Sequence, residues 1–169
     1  MEKKKNLSEY NTEEIGDLSE VKFGLIVADW NPNITHSMFD AAKETLLKHG
    51  AKEDNLEIIQ VPGTFELPAA ARILIKRKAP DAIICIGCVI KGETAHNEYI
   101  SNAVAQGLVQ LSLVSGVPCI FGVLTPNDME QAKDRAGGKH GNKGVEAAYT
   151  AIRMAELYKG EKKNKKIGF

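Results

Sequence analysis

The run Lys91-Gly92-Glu93-Thr94-Ala95-His96 places a cation, a glycine, a hydroxyl and an imidazole directly after Ala82 to Ile90, the most apolar stretch of the chain. Between a buried strand and a helix, Gly92 and Thr94, the latter near the helix N-cap, leave backbone amides free at the positive end of the helix dipole, which is a natural anion site. Lys91 adds positive charge. His96 falls in the first helical turn, where the same dipole favours the neutral, proton-accepting imidazole. An isolated histidine would be read as solvated or core-satisfied, but beside a phosphate-type loop the proton-carrier reading is preferred.

Three further segments carry side chains unusual for connectors. Asp29-Trp30-Asn31-Pro32 holds the single tryptophan of the chain. Its ring could stack on a flat ligand or simply cover the end of a sheet, and position alone leaves both open. Pro62-Gly63-Thr64-Phe65-Glu66 permits a tight turn whose amides open a helix; Glu66 could act on a ligand or complement the dipole. Arg135 with the basic glycine-rich run through Lys143 could clamp an anion, since the arginine fork matches phosphate. That run does not fit a Walker A loop. No metal-ligand spacing occurs, which predicts no metal. Cys85-Ile86-Gly87-Cys88 has redox spacing but lies in an apolar run, so the thiols are expected to be buried on opposite faces of a strand.

The elements that must position these groups alternate. Strands are expected at Val21–Ala28, Leu56–Val61, Ala82–Ile90 and Cys119–Leu124, from short apolar runs. Helices are expected from about Ile34 to His49, Phe65 to Lys76, His96 to Ser115, a short one capped by Asn127-Asp128 and reaching Arg135, and Asn142 to Tyr158. Gly137 to Gly141 reads as a loop. This alternation predicts an α/β fold, a three-layer αβα sandwich on a four-stranded parallel sheet. The last helix is apolar on more than one face, so it should be buried twice, against its sheet and against something else, most simply another copy.

With 169 residues, 43% apolar and 26% charged, the chain suits one domain. The division expected is a flexible arm over 1–20, with a short strand near Glu14 and Ile15, a single domain over 21–160 and a basic tail over 161–169. The lysines at both ends are read as solvated. Acidic and basic residues balance at 22 each, which gives no global case for nucleic acid. There is no apolar run of membrane-spanning length and no signal-like opening, which predicts a cytoplasmic protein.

Four motifs in register carry a resemblance: Pro62-Gly63-Thr64-Phe65-Glu66-Leu67-Pro68, Gly92-Glu93-Thr94-Ala95-His96, Phe121-Gly122-Val123-Leu124-Thr125 and Gly141-Asn142-Lys143-Gly144-Val145-Glu146-Ala147-Ala148. Together they closely resemble the lumazine synthase family of riboflavin biosynthesis, over roughly Val21 to Lys159. The resemblance implies a flavodoxin-like fold with an N-terminal strand that can add to a neighbouring subunit. It implies condensation of 5-amino-6-ribitylaminouracil with 3,4-dihydroxy-2-butanone 4-phosphate, releasing phosphate and water without a cofactor.

Position by position, Trp30 resembles the ring that stacks on the pyrimidine. Thr64, Phe65 and Glu66, with Cys88, Val89 and Ile90, resemble the segment holding the uracil and ribityl groups. Glu93 and Thr94 resemble the phosphate loop, and His96 the proton-transfer residue. Phe121 and Arg135 resemble groups supplied by the next subunit, the arginine on phosphate. The resemblance also implies pentamers, a sixty-subunit icosahedral shell given the short connection before Asn142, and riboflavin synthase as a partner.

Departures are Trp30, where the family more often has phenylalanine; Lys91, where arginine is usual; and a longer N-terminal arm. Trp30 keeps riboflavin binding open. A non-catalytic flavin-storage member is therefore one alternative. A signalling receiver using Asp29 is another, against which the lone acid followed by Trp30 argues.

Overall fold

Phe23-Gly24-Leu25-Ile26-Val27-Ala28 offers no polar side chain to water, and in the computed structural model it forms β1 (Phe23–Ala28), buried at every position. The structure describes residue 6, residues 8–12 and residues 15–165. β3 (Ala82–Cys88) is likewise buried throughout. These two are the central strands of a parallel sheet ordered β2-β1-β3-β4, with β2 (Leu56–Val61) and β4 (Cys119–Leu124) at the edges. β2 is the more exposed edge, with a mixed half-buried and exposed pattern. The fully buried apolar runs are the two central strands covered on both faces; among the edges, β2 is interrupted by Glu57 and Gln60, whereas β4 stays apolar throughout. β3 ends at Cys88, short of the Ile90 expected.

The period-two alternation divides the core. Leu25, Val27, Ile84 and Ile86 face α1 (Pro32–Lys48), α4 (Met129–Arg135) and α5 (Lys143–Lys165). Ile26, Ile83 and Cys85 face α2 (Leu67–Lys78) and α3 (His96–Ser115). The expected αβα sandwich is observed. Each fully buried large aliphatic contributes about 1.5–3 kcal/mol, so this double core, not the exposed surface ion pairs, holds the fold.

Local signals set most helix ends. Pro32 and Pro68 sit in first turns, where the missing N–H costs nothing. Asp128 caps α4 by accepting from the Gln131 amide at 2.8 Å.

Further details separate expectation from structure. Residues 136–142 are not a plain loop but a small antiparallel hairpin, β5 (Ala136–Gly138) with β6 (Gly141–Asn142). The cap of α3 is Ala95, without a side-chain hydrogen bond, and Thr94 directly precedes it, near the cap as expected. The second apolar side of α5 is taken in large part by α1 of the same chain. Gly144 makes that packing possible, since a Cβ there would collide with the Met38 carbonyl.

The described part of the N-terminal segment lies along α1 and α5. Leu18 is buried in the core, Gly16 donates to Glu156 at 2.8 Å, and Tyr10 stacks on Tyr149 with centroids 4.4 Å apart. Ile15 is not in a strand. Glu14, Lys3, Lys4, Lys5 and Lys166 lie outside the described residues. Among the described residues no helix is long and apolar enough to cross a membrane.

Candidate functional site

Parallel pairing of β1 with both β2 and β3 sets the C-terminal ends of three strands side by side, Ala28 opposite Val61 and Val27 opposite Ile86. Ligands of open α/β sheets gather at such an edge. The loops there are stitched together by backbone bonds. The Asp29 amide donates to the Val61 carbonyl at 2.8 Å, Trp30 to Pro62 at 3.1 Å, Val89 to Leu124 at 2.8 Å and Lys91 to Pro126 at 3.0 Å. A segment that reads as four separate connectors is one continuous rim.

Trp30 is 68% exposed, and its ring lies across Gly63, where a Cβ would come within 2.7 Å of Cε3. Phe65, 56% exposed, stands on the neighbouring turn. Two bare aromatic rings on one rim are unusual for a surface that serves packing alone. Thr64 is buried, its hydroxyl pressed against Gly87 of β3. Glu66 turns back so that Oε2 accepts from the Gly63 amide at 3.1 Å. This closes the turn over residues 63–66.

Cys88 is buried, and Val89 and Ile90 are half-buried as they leave β3. Cys85 packs on the opposite sheet face from Cys88, as the spacing required. Desolvation pushes the Cys88 thiol up to about 11, which leaves it a poor nucleophile. Lys91, Gly92, Glu93, Thr94 and His96 are all exposed beyond the strand end. His96 opens α3, and its amide donates to Thr94 Oγ1 at 3.4 Å. Lys91 to His96 therefore forms an open lip beyond the end of β3, at the sheet edge that also carries Trp30 and Phe65.

Phe121 and Arg135 stand apart from this lip. Phe121 pairs with Cys85, three residues before the end of β3, so it sits roughly 10 Å down the strand. There it lines a groove of about 520 Å³ with Leu108, Val109, Leu113, Met154 and Tyr158. Arg135 ends α4 and is held by two bonds, Nη1 to the His140 carbonyl and Nη2 to Glu146 Oε1, each 2.8 Å. It borders a pocket of about 270 Å³ beyond β4 with Thr125, Pro126, Gln131 and Lys143.

Two residues were missed from the sequence. Asn31 takes the left-handed conformation, φ 60°, at the start of α1, and its Nδ2 donates to the Cys88 carbonyl at 3.2 Å. This bond ties the tryptophan loop to the end of β3. The Asn-Pro pair was the available signal, since asparagine tolerates that conformation. Glu146 receives Arg135 on one oxygen and Lys143 on the other, the lysine at 3.1 Å. Only its spacing from Lys143 was legible.

The family model described as 6,7-dimethyl-8-ribityllumazine synthase matches residues 20–159. A protein of that name from Cytophaga hutchinsonii is 53% identical over 150 residues, covering 89% of this chain and 94% of its own. One from Porphyromonas gingivalis is 50% identical over 152 residues, covering 90% and 94%. One from Parabacteroides distasonis is 48% identical over 152 residues, covering 90% and 95%.

Proposed function

The chain belongs to the 6,7-dimethyl-8-ribityllumazine synthase family, and we propose that it condenses 5-amino-6-ribitylaminouracil with 3,4-dihydroxy-2-butanone 4-phosphate in riboflavin biosynthesis. The observation that carries this reading is the rim on which Trp30, the Thr64–Glu66 turn and the Lys91–His96 lip meet at one sheet edge.

On this reading Trp30 and Phe65 hold the pyrimidine ring. Thr64, Glu66 and the backbone of Cys88, Val89 and Ile90 hold the uracil and ribityl groups. The phosphate sits between the Glu93-Thr94 loop and Arg135 supplied by an adjacent copy, with Phe121 of that copy closing on the pyrimidine. His96 moves protons as the amine adds to the ketone, phosphate leaves and the ring closes. Holding two substrates together can supply on the order of 7–11 kcal/mol of the barrier, so neither a cofactor nor a metal is required.

The separation of Phe121 and Arg135 from the lip supports a pentamer whose site is completed between subunits, and the apolar groove at Phe121 offers the surface for it. Closure of pentamers into an icosahedral shell, a cytoplasmic setting and contact with riboflavin synthase belong to the same proposal. So does the division into an arm over 1–20, a domain over 21–160 and a tail over 161–169.

Mixing the two substrates with the purified protein and following lumazine absorbance tests the reading. Product formation at a rate proportional to enzyme is expected. No turnover together with tight riboflavin binding would leave the storage role instead.

A further inference from the structure

We infer that the N-terminal segment at Ser8 is a positioning element for Arg135, an inference that rests on Arg135 taking the phosphate. Ser8 is far from Arg135 in sequence but reaches the same carboxylate. Its Oγ accepts from the Asn142 amide at 2.8 Å and lies 3.1 Å from the Asn142 carbonyl. It also lies 3.3 Å from Glu146 Oε1. That oxygen is the one Arg135 Nη2 holds at 2.8 Å.

The approach is built into the hairpin. Gly141 has φ 86°, a conformation that favours glycine, and a Cβ there would collide with Ser8 Oγ and Asn6 Oδ1. Asn6 Oδ1 in turn accepts from the Ser8 amide at 3.0 Å. A second anchor follows at Tyr10, stacked on Tyr149 of α5 and sharing a 3.0 Å hydrogen bond with His49 Nε2. The segment is therefore pinned at β6 through Asn6 and Ser8 and at α5 and the end of α1 through Tyr10.

The chemistry of Glu146 gives the contact its effect. Oε2 is taken by Lys143, so the orientation of the carboxylate fixes both cations that border the pocket beyond β4. A guanidinium that turns an N–H toward a phosphate loosens its hold on Oε1. The one Ser8 hydroxyl proton, shared between the Asn142 carbonyl at 3.1 Å and Oε1 at 3.3 Å, then turns fully to Oε1, so that oxygen keeps a partner and the rearrangement costs less. Ser8 touches no substrate and acts through Glu146.

Steady-state kinetics on the full chain, with each substrate varied in turn and inorganic phosphate as inhibitor, tests this. Ser8→Ala should raise KM for the butanone phosphate and the inhibition constant of inorganic phosphate by the same factor, about threefold to tenfold, as for one net hydrogen bond. KM for the pyrimidine, kcat and native mass should stay at wild-type values, and Ser8→Thr should restore the phosphate constants. Wild-type phosphate constants in Ser8→Ala, beside raised ones in Arg135→Ala, overturn the inference and leave the phosphate role of Arg135 standing. A loss in Ser8→Ala that accompanies a changed native mass also overturns it. If Arg135→Ala moves neither constant, the phosphate reading itself fails and the inference falls with it.

Discussion

The indole of Trp30 rests on Gly63 so closely that no side chain fits between them: a Cβ at 63 would stand 2.7 Å from Cε3 and 2.8 Å from Cζ3. The backbone of Gly63 is extended, φ −138°, so its absence of a side chain serves space and not conformation.

Gly63→Ala should therefore push the exposed ring aside with little loss of stability, about 1 kcal/mol or less. KM for the pyrimidine substrate should rise several-fold while KM for the butanone phosphate holds. Equal changes in both constants would show that the ring is not the pyrimidine platform.

Thr64 meets β3 at Gly87, where an added Cβ would fall 2.5 Å from Oγ1 and 2.9 Å from Cγ2. Both partners are buried and neither can swing into solvent. Gly87→Ala should destabilise the fold by roughly 1–3 kcal/mol, as overpacking does, and lower activity by displacing the Thr64–Glu66 turn. A thermal midpoint equal to wild type would contradict this.

His96→Ala should lower kcat from several-fold up to about a hundredfold, the low end for positioned acid–base catalysis, because holding the substrates together carries the larger share of the barrier. Turnover within about twofold of wild type would remove His96 as a proton carrier. The thermal midpoint should not change, since the side chain is exposed.

Arg135→Ala should raise KM for the butanone phosphate about tenfold or more, in line with loss of a charge-assisted hydrogen bond, with the pyrimidine constant unmoved. Arg135→Lys keeps the charge but cannot hold Glu146 and phosphate with one planar fork, so it should recover only part of the loss. If the pyrimidine constant rises instead, the phosphate assignment is wrong.

The cysteines give a pH prediction. Burial pushes Cys88 from the ordinary thiol value of 9.0 to about 11. Burial likewise pushes Cys119 to about 11, against a lowering contribution from Ser112. Cys85 lies well above the ordinary value, also by burial. A raised value means that the unfolded chain loses its proton first. The thiols leave stability untouched below about pH 9, and destabilise the fold as pH rises from 9 toward 11. A thiol reagent at pH 7 should label the unfolded chain and leave the native one nearly unmodified over the same interval. Rapid labelling of the native protein would show that the sheet core is open.

The sequence by itself determined what depends on short stretches of chain. Three of the four strands are legible because their runs have no polar interruption, β2 by its β-branched residues before Pro62-Gly63, and helices stop where proline or left-handed glycine forces them to. His49-Gly50 ends α1 in this way, with Gly50 at φ 100°. The lip Lys91 to His96 could be placed at a strand-to-helix junction before any fold was known. The hairpin over residues 136–142 was not legible, because its strands are two or three residues long and leave no periodicity.

Tertiary structure decided which loops share a rim. Nothing local in Leu56–Val61 or Ala82–Cys88 says that both pair with β1, yet the order β2-β1-β3-β4 is what sets Trp30 on Gly63 and Thr64 on Gly87. It also decided that Arg135 is held by Glu146 and that Ser8 reaches the same carboxylate. Such contacts join residues far apart in the chain, and their energy comes from burial and charge pairing that exist only after the layers close. Residue type set the chemistry available, and the packing of the sheet chose which of those groups meet.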